Sequence, residues 1–413
     1  VPTDQNYMTG GTNSMLTNKT VVLGVTGSIA AYKMANVASM LIKLHADVHV
    51  IMTRNATNFI NPITFETLTG NKCLVDTFDR NFEFSVEHVS LAKRADTFLV
   101  APASANIIGK IANGIADDML STTIMAAKCP VIVAPAMNTN MFTNPIVQDN
   151  IKKLSSYGIT IIEPATGLLA CRDTGKGKLP DEDTLIEYIL KAIAFEHDLE
   201  GKHVLITAGP TREPIDPVRF ITNHSTGKMG YSIARIAMLR GADVTLVSGP
   251  VSLTPPMFCN TVNVSSAADM YEAVMKYAPD SDIIIKSAAV ADYRPVNVAA
   301  EKIKKSDSDA DNSIALERTT DILATLGRNK KPGQLLCGFS METENMLENS
   351  RKKLIKKNAD IIAANSLRQE GAGFGTDTNV LTLITKDSEE SLDIMSKEAA
   401  AGKLLDKIAA MMP

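Results

Sequence analysis

A chain of 413 residues exceeds one ordinary domain, and two domains of about 200 residues are the natural division. With 45% hydrophobic residues it can build two cores, while a formal net charge of -4 excludes the bulk positive field that draws nucleic acid or anionic lipid, so any phosphate recognition has to be local. No apolar run approaches the roughly 18 residues of a membrane span, and five cysteines without a CxxC pair fit a reducing cytoplasm better than a zinc or disulfide framework.

In chain order, residues 1–18 read as a leader or disordered start, with neither the basic opening nor the apolar centre of a signal peptide. "KTVVLGVTGSIAAYK" predicts a strand over Val21 to Val25, a Gly/Ser turn, and a helix with Ala30, Met34, Val37, Ala38 and Leu41 on one face. "ADVHVIMT" is the next strand. The turn, Gly24-x-x-Gly27-x-x-Ala30, is not a clean dinucleotide fingerprint, and no acidic residue closes the second strand where an adenosine ribose would be held. Such a turn serves equally as a tight strand–helix connection. Ser28, Thr53 and the amides near Ala30 also suit a single phosphate, as in a flavin mononucleotide.

Next comes His88, ahead of a buried strand, "TFLVAPAS", and then "VIVAPAMNTNMF", a second buried strand running out at Asn138. Strand ends carrying small and amide residues are where an open α/β sheet binds ligands. "ATGLLACRDTGKGKLP" sets Cys171 in a polar stretch where Gly167, Gly175 and Gly177 favour a mobile loop. Taken singly, His88 reads as a surface histidine, Asn138 as a turn residue and Cys171 as an idle thiol. A helix over about Asp183 to Phe195 and a polar connector close this half.

The pattern then restarts. "KHVLITAGP" is a strand ending in glycine, a helix follows with Met229, Ile233, Ile236 and Ala237 on one face, and "GADVTLVSGP" is the next strand. Repeated strand–glycine turn–helix–strand grammar predicts two Rossmann-like α/β domains, over 19–196 and 197–413, each on a parallel sheet. "STGKMG" is not a P-loop, since Thr222 and Met229 stand where that pattern needs Gly and Ser/Thr. "AGPTREPIDPVRFITNHSTGKMG" reads as a long loop with Asn223 near its end. "IIIKSAAVADYRP" is a buried strand ending in Ala288-Ala289, with Asp292 beyond; then come "EKIKK" (Lys302, Lys304, Lys305), an acidic insert, "TTDILATL", and a helix carrying Lys353 and Lys357 on one face. Each lysine run alone is a solvated face. Lysines gathered at sheet ends beside a lone aspartate also fit a triphosphate–Mg2+ site.

Over residues 19 to about 195, "GSIAAYK", the His88 segment, "PAMNxxM" and "ACxDxGxG" resemble the flavin-containing cysteine decarboxylases, specifically those acting on 4'-phosphopantothenoylcysteine. The resemblance implies a flavodoxin-like flavoprotein domain with FMN held by Gly27, Ser28, Ile29, Ala30, Thr53, Ser104 and Ala105. It implies His88 as the base of the oxidation step, Asn138 as holder of the substrate carboxylate, and Cys171 as proton donor in the final reduction. Phe142, Arg172 and Lys178 depart from the usual residues. Over roughly 200 to 410, "GPTREPIDPVRFITNHSTGKMG", "AAVADYRP", "EKIKK" and "GFxxET" resemble phosphopantothenate–cysteine ligase.

Together the halves resemble the bifunctional ligase–decarboxylase family of coenzyme A biosynthesis. That implies an acyl-cytidylate made from CTP, with Asn223 orienting the activated acyl group and Lys302 neutralising the triphosphate. Ala288, Ala289, Asp292, Lys302, Thr320, Asp321, Ile322, Phe339, Lys353 and Lys357 would line the CTP pocket. Thr319-Thr320 replaces the family's Asn-Pro before Asp321. Mg2+ would be held mainly by the CTP phosphates, and the partners would be small-molecule substrates and copies of the same chain: decarboxylase trimers, ligase dimers and possibly a dodecamer.

Overall fold

In the computed structural model, the described residues are 14–77, 87–169, 174–303, 313–342, 345–366 and 375–412. Most of the expected leader, together with Cys171, Arg172, Lys304 and Lys305, lies outside them. The chain forms two compact units, Asn13–Phe195 and Glu196–Pro413.

In the first unit the apolar run after Lys19 becomes β1 (Thr20–Val25), buried at all six positions, as a strand covered on both faces must be. One 3-10 turn, Ile29–Tyr32, precedes α1 (Lys33–Lys43), which buries Met34, Val37, Ala38 and Leu41. There follow β2 (Asp47–Met52), α2 (Pro62–Thr69), α3 (Glu87–Arg94), β3 (Thr97–Ala103), α4 (Ala105–Ala112), α5 (Met119–Ala126), β4 (Val131–Pro135), α6 (Thr139–Phe142), α7 (Pro145–Ser156) and β5 (Thr160–Ile161). The five strands pair in parallel in the order β2-β1-β3-β4-β5. Sequential order reverses between β1 and β3, which opens a crevice at their carboxyl ends, the flavin position of flavodoxin-like sheets. An antiparallel hairpin, β6 (Ala165–Leu168) and β7 (Thr174–Lys178), follows. The closing α8 (Glu182–Ile193) is capped by Asp181, carries Glu182 and Asp183 in its first turn, and packs on α1 and β3.

The second unit contains β8 (His203–Ala208), β9 (Arg212–Pro214), β10 (Phe220–Thr222), α9 (Lys228–Leu239), β11 (Asp243–Ser248), β12 (Asn260–Asn263), α10 (Ala267–Tyr277), β13 (Ile283–Lys286), β14 (Tyr293–Pro295), β15 (Leu316–Arg318), α11 (Ile322–Asn329) and β16 (Leu335–Glu342). It continues with α12 (Met346–Lys356), β17 (Ile361–Ser366), β18 (Thr378–Asn379), β19 (Thr382–Ile384), β20 (Glu389–Ser391), β21 (Met395–Ser396) and α13 (Lys397–Ala409). Its main sheet runs β12-β11-β8-β13-β16-β17-β19-β20, parallel as far as β17 and antiparallel beyond. Here the reversal falls between β8 and β13. β9 and β10 pair as a short ribbon, so the segment read as one long loop is partly braced by its own backbone.

Candidate active sites

At the first crevice, Thr26 joins the two lips. Its Oγ1 donates to the Pro102 carbonyl at 2.6 Å and accepts from the Ser104 amide at 3.0 Å. The β1 turn (Gly27, Ser28, Ile29, Ala30) is thereby held beside the start of α4 (Ser104, Ala105). Ser28 caps the 3-10 turn by accepting from the Ala30 amide, and Gly27 lies so close to Asn55 that a Cβ there would come within 2.7 Å of the Asn55 Cβ. The Thr53 amide donates to the Val25 carbonyl at 3.0 Å, bringing the end of β2 to the same edge. All seven residues expected to hold FMN are therefore gathered. The Thr53 Oγ1 is buried with no hydrogen-bond partner among the described residues. A buried, unsatisfied hydroxyl calls for a partner, and at this crevice a flavin fits that need.

Asn138 caps α6, its Oδ1 accepting from the Asn140 amide at 2.8 Å. The turn it sits in is docked against the β6–β7 hairpin: the Met137 amide donates to the Gly177 carbonyl at 3.0 Å. A Cβ on Gly177, whose φ is +139, would come within 2.3 Å of the Met137 carbonyl oxygen, and one on Gly175 within 2.4 Å of Thr139 Oγ1. These glycines correct the sequence reading. They sit in a paired strand and are required by close approach to residues 137–139, not by loop mobility. Lys176 pairs with Glu163 and stands 5.5 Å from the centre of the Phe142 ring. Cys171 lies outside the described residues, in the segment linking Leu168 to Thr174, which are paired across the hairpin.

His88 occupies the first turn of α3. Arg94, at the other end of that helix, meets His49 of β2 at 2.8 Å, and the helix packs against α5. Among the described residues no hydrogen bond joins His88 to the Asn138 turn.

In the second unit, three loops close over the β8/β13 reversal. The Ala288 amide donates to Thr207 Oγ1 at 3.1 Å, the Ala289 amide to the Gly209 carbonyl at 2.9 Å, and the Ala291 amide to Thr211 Oγ1 at 3.0 Å. Asn223 Nδ2 donates to the Ala289 carbonyl at 2.9 Å. Thr319 adds its hydroxyl to the Ala291 carbonyl at 2.6 Å and its amide to the Asp292 carbonyl at 3.0 Å, which sets Thr320, Asp321 and Ile322 against the same loop. Asp321 caps α11 through the Ala324 amide and forms an ion pair with Lys357. Lys353 donates to the Phe339 carbonyl at 2.8 Å. Burial works to raise the Asp321 pKa, but the Lys357 and Ala324 hydrogen bonds outweigh it and hold the carboxyl below its ordinary range.

Lys302 stands apart from these contacts. It is exposed, and its neighbour Ile303 is tied to Asp216: the Ile303 amide donates to Asp216 Oδ2 at 3.2 Å, and Arg219 bridges Asp216 and the Ile303 carbonyl. The Arg219 guanidinium holds the Asp216 carboxyl well below the usual carboxylate range. Lys228, the lysine of "STGKMG", pairs with Asp377 at 2.6 Å and the Gly375 carbonyl at 3.0 Å, a partnership unlike that of a P-loop lysine. Sequence reasoning passed over Lys286, the last residue of β13. Burial, then the nearby Lys353, pushes its amine down to about 8. A lysine closing the apolar run "IIIK" was the available signal. Among the described residues no three His, Cys, Asp or Glu side chains gather as metal ligands, and no helix is long and apolar enough to cross a membrane.

The flavoprotein family model matches residues 10–194, and the model of the DNA/pantothenate metabolism flavoprotein C-terminal domain matches 199–412. The coenzyme A biosynthesis bifunctional protein CoaBC of Bacillus subtilis (strain 168) is 49% identical over 401 residues, covering 96% of this chain and 98% of that protein. The protein of that name from Escherichia coli (strain K12) is 42% identical over 394 residues, covering 95% and 97%. A solved C-terminal domain of a coenzyme A biosynthesis bifunctional protein CoaBC is 47% identical, covers 52% of this chain and 98% of its own, and has a TM-score of 0.45.

Proposed function

The chain belongs to the bifunctional CoaBC family of coenzyme A biosynthesis, with ligase and decarboxylase activities in one polypeptide, and from that premise we propose how its residues divide the work. Residues 197–413 join 4'-phosphopantothenate to cysteine at the expense of CTP, and residues 19–196 decarboxylate the product to 4'-phosphopantetheine. The reading is supported above all by the gathering of the β1 turn, Thr53 and the start of α4 at the first sheet reversal, and of Asn223, Ala288, Ala289 and the Asp321 turn at the second.

In the first unit Gly27, Ser28, Ile29, Ala30, Thr53, Ser104 and Ala105 hold FMN, with the orphaned Thr53 hydroxyl as a contact. Bound FMN supplies the two-electron oxidation and the later reduction at the substrate's cysteine side chain. His88 takes the proton released at the oxidation. The Asn138 amide orients the carboxylate that leaves as CO2, and an uncharged donor does this without repelling it. Cys171 returns a proton to the carbon being reduced.

In the second unit the phosphopantothenate carboxylate attacks the α-phosphorus of CTP and pyrophosphate departs. Lys302 neutralises the charge that builds on the leaving group, where a fixed cation is most useful. Lys353 and Lys357 line the pocket with Ala288, Ala289, Asp292, Thr320, Asp321, Ile322 and Phe339. Mg2+ would be held mainly by the phosphates of CTP and would screen their charge during the attack. Asn223 then orients the acyl group for attack by the cysteine amine.

We place the protein in the cytoplasm as a homo-oligomer. Exposed Ile29, Tyr32 and Ile63 are apolar surface that a second copy of the first unit would cover. The test is incubation with 4'-phosphopantothenate, cysteine, Mg2+ and either CTP or ATP. Release of pyrophosphate and CO2 with CTP supports the reading, and CTP consumption without either product contradicts it.

A further inference from the structure

Lys286 ends the central strand of the second sheet, with uncharged Thr207 and Gly338 in register on either side. The charges facing it come from three other segments: Lys353 and Lys357 of α12 and its C-terminal end, Asp321 at the head of α11, and Asp292 in the loop after β13. Two of these are already engaged, since Lys357 and Asp321 pair with each other. The Lys286 amine itself meets one acceptor among the described residues, the Ala288 carbonyl, at a long 3.4 Å. A half-buried ammonium with one weak, neutral partner and two cations nearby is under-compensated.

We propose that Lys286 is a further ligand-binding residue of this site, its ammonium completing with Lys353 and Lys357 a three-cation cradle for the phosphate oxygens of a ligation substrate or product. The proposal rests on the nucleotide reading of the second unit. It follows that the amine, held near 8 by burial and by its fellow lysines, is partly unprotonated at pH 8 until an anion enters. The anion stabilises the charged form, so binding takes up a proton.

The test is titration calorimetry of the full-length, flavin-loaded protein at pH 8 in two buffers of different ionisation enthalpy. CTP, pyrophosphate and 4'-phosphopantothenate are each titrated in turn, and the arm with proton uptake identifies which phosphate source Lys286 meets. The wild type is expected to take up a fraction of a proton. Lys286→Gln should lose that uptake and bind about tenfold more weakly, a loss in the range of one charge-assisted contact. Lys286→Arg, charged at every accessible pH, should keep the affinity and lose the uptake, and it reads the claim even if the Gln variant fails to fold. Unchanged affinity and uptake in Lys286→Gln, or persisting uptake in Lys286→Arg, overturns the inference alone. A wild type that binds none of the three ligands overturns the nucleotide reading itself.

Discussion

Gly177 touches Met137 so closely that a methyl group at position 177 would lie 2.3 Å from the Met137 carbonyl oxygen. The hairpin that leads to Cys171 is thereby locked to the turn that carries Asn138. Gly177→Ala meets both this clash and an unfavourable positive φ. It is expected to cost about 1–3 kcal/mol locally and to lower decarboxylation sharply while leaving ligation intact. Separate assays of CO2 and pyrophosphate check this; equal losses of both would show that the contact does not serve the first site.

In the proposed division of work, His88 and Asn138 act before CO2 is lost, and Cys171 after. His88→Asn and Asn138→Asp should each slow CO2 release about 100-fold or more, the Asp variant also by setting a negative charge against the substrate carboxylate. Cys171→Ser should release CO2 and then stall, accumulating the oxidised aminoenethiol. Mass spectrometry of the products separates the two behaviours, and a normal yield of 4'-phosphopantetheine from Cys171→Ser would remove that thiol from the reaction.

Thr53 supports an expectation of opposite signs in the two states. Its hydroxyl is buried without a partner among the described residues, so Thr53→Val should leave the flavin-free protein as stable or slightly more so, since an unsatisfied polar group is removed. The same change should weaken FMN binding about tenfold, the order of one hydrogen bond. Thermal melts with and without FMN measure both. A fall in flavin-free stability with unchanged FMN affinity would make the hydroxyl structural.

Much of this architecture was legible in the amino-acid order. "TVVLGV" is too evenly apolar for a half-exposed strand, and the spacing of Met34, Val37, Ala38 and Leu41 admits little but an amphipathic helix. The β6–β7 hairpin was not legible, because "ATGL" and "TGKGK" have no apolar face, and "TGKGK" is held by contacts to Met137 and Thr139, which are distant in sequence. Lys286 was missed for a related reason. Its meaning depends on Asp321, Lys353 and Lys357, which only the sheet order brings to the end of β13. The glycine turns were visible, but what presses on them was not.

Lys397 supplies a pH dependence. Burial, with Lys228 nearby, pushes its amine from the ordinary 10.5 down to about 8, although it donates to the Thr376 and Thr378 carbonyls. The folded state therefore holds fewer protons than the unfolded state between those values, and stability attributable to this residue rises with pH across that window. Below about pH 8 its buried charge is a constant cost. Urea titrations from pH 7.5 to 10 should show the wild type gaining on Lys397→Met; parallel curves would contradict the assignment.

The central claim is that one chain runs two reactions in order at two separate sites. It is tested most directly by mass spectrometry of quenched reactions of the full-length protein and three variants with 4'-phosphopantothenate, CTP, Mg2+ and cysteine. The wild type should yield pyrophosphate and CO2 in equal amounts. Lys302→Gln should form no acyl-cytidylate if its cation serves, as proposed, to offset the charge on the leaving pyrophosphate. Asn223→Asp should form some and hand it slowly to cysteine, and His88→Asn should stop at 4'-phosphopantothenoylcysteine. Acyl-cytidylate accumulating in Lys302→Gln but absent from Asn223→Asp would reverse those two roles, and a His88→Asn protein that also fails to release pyrophosphate would contradict the account of two separable sites.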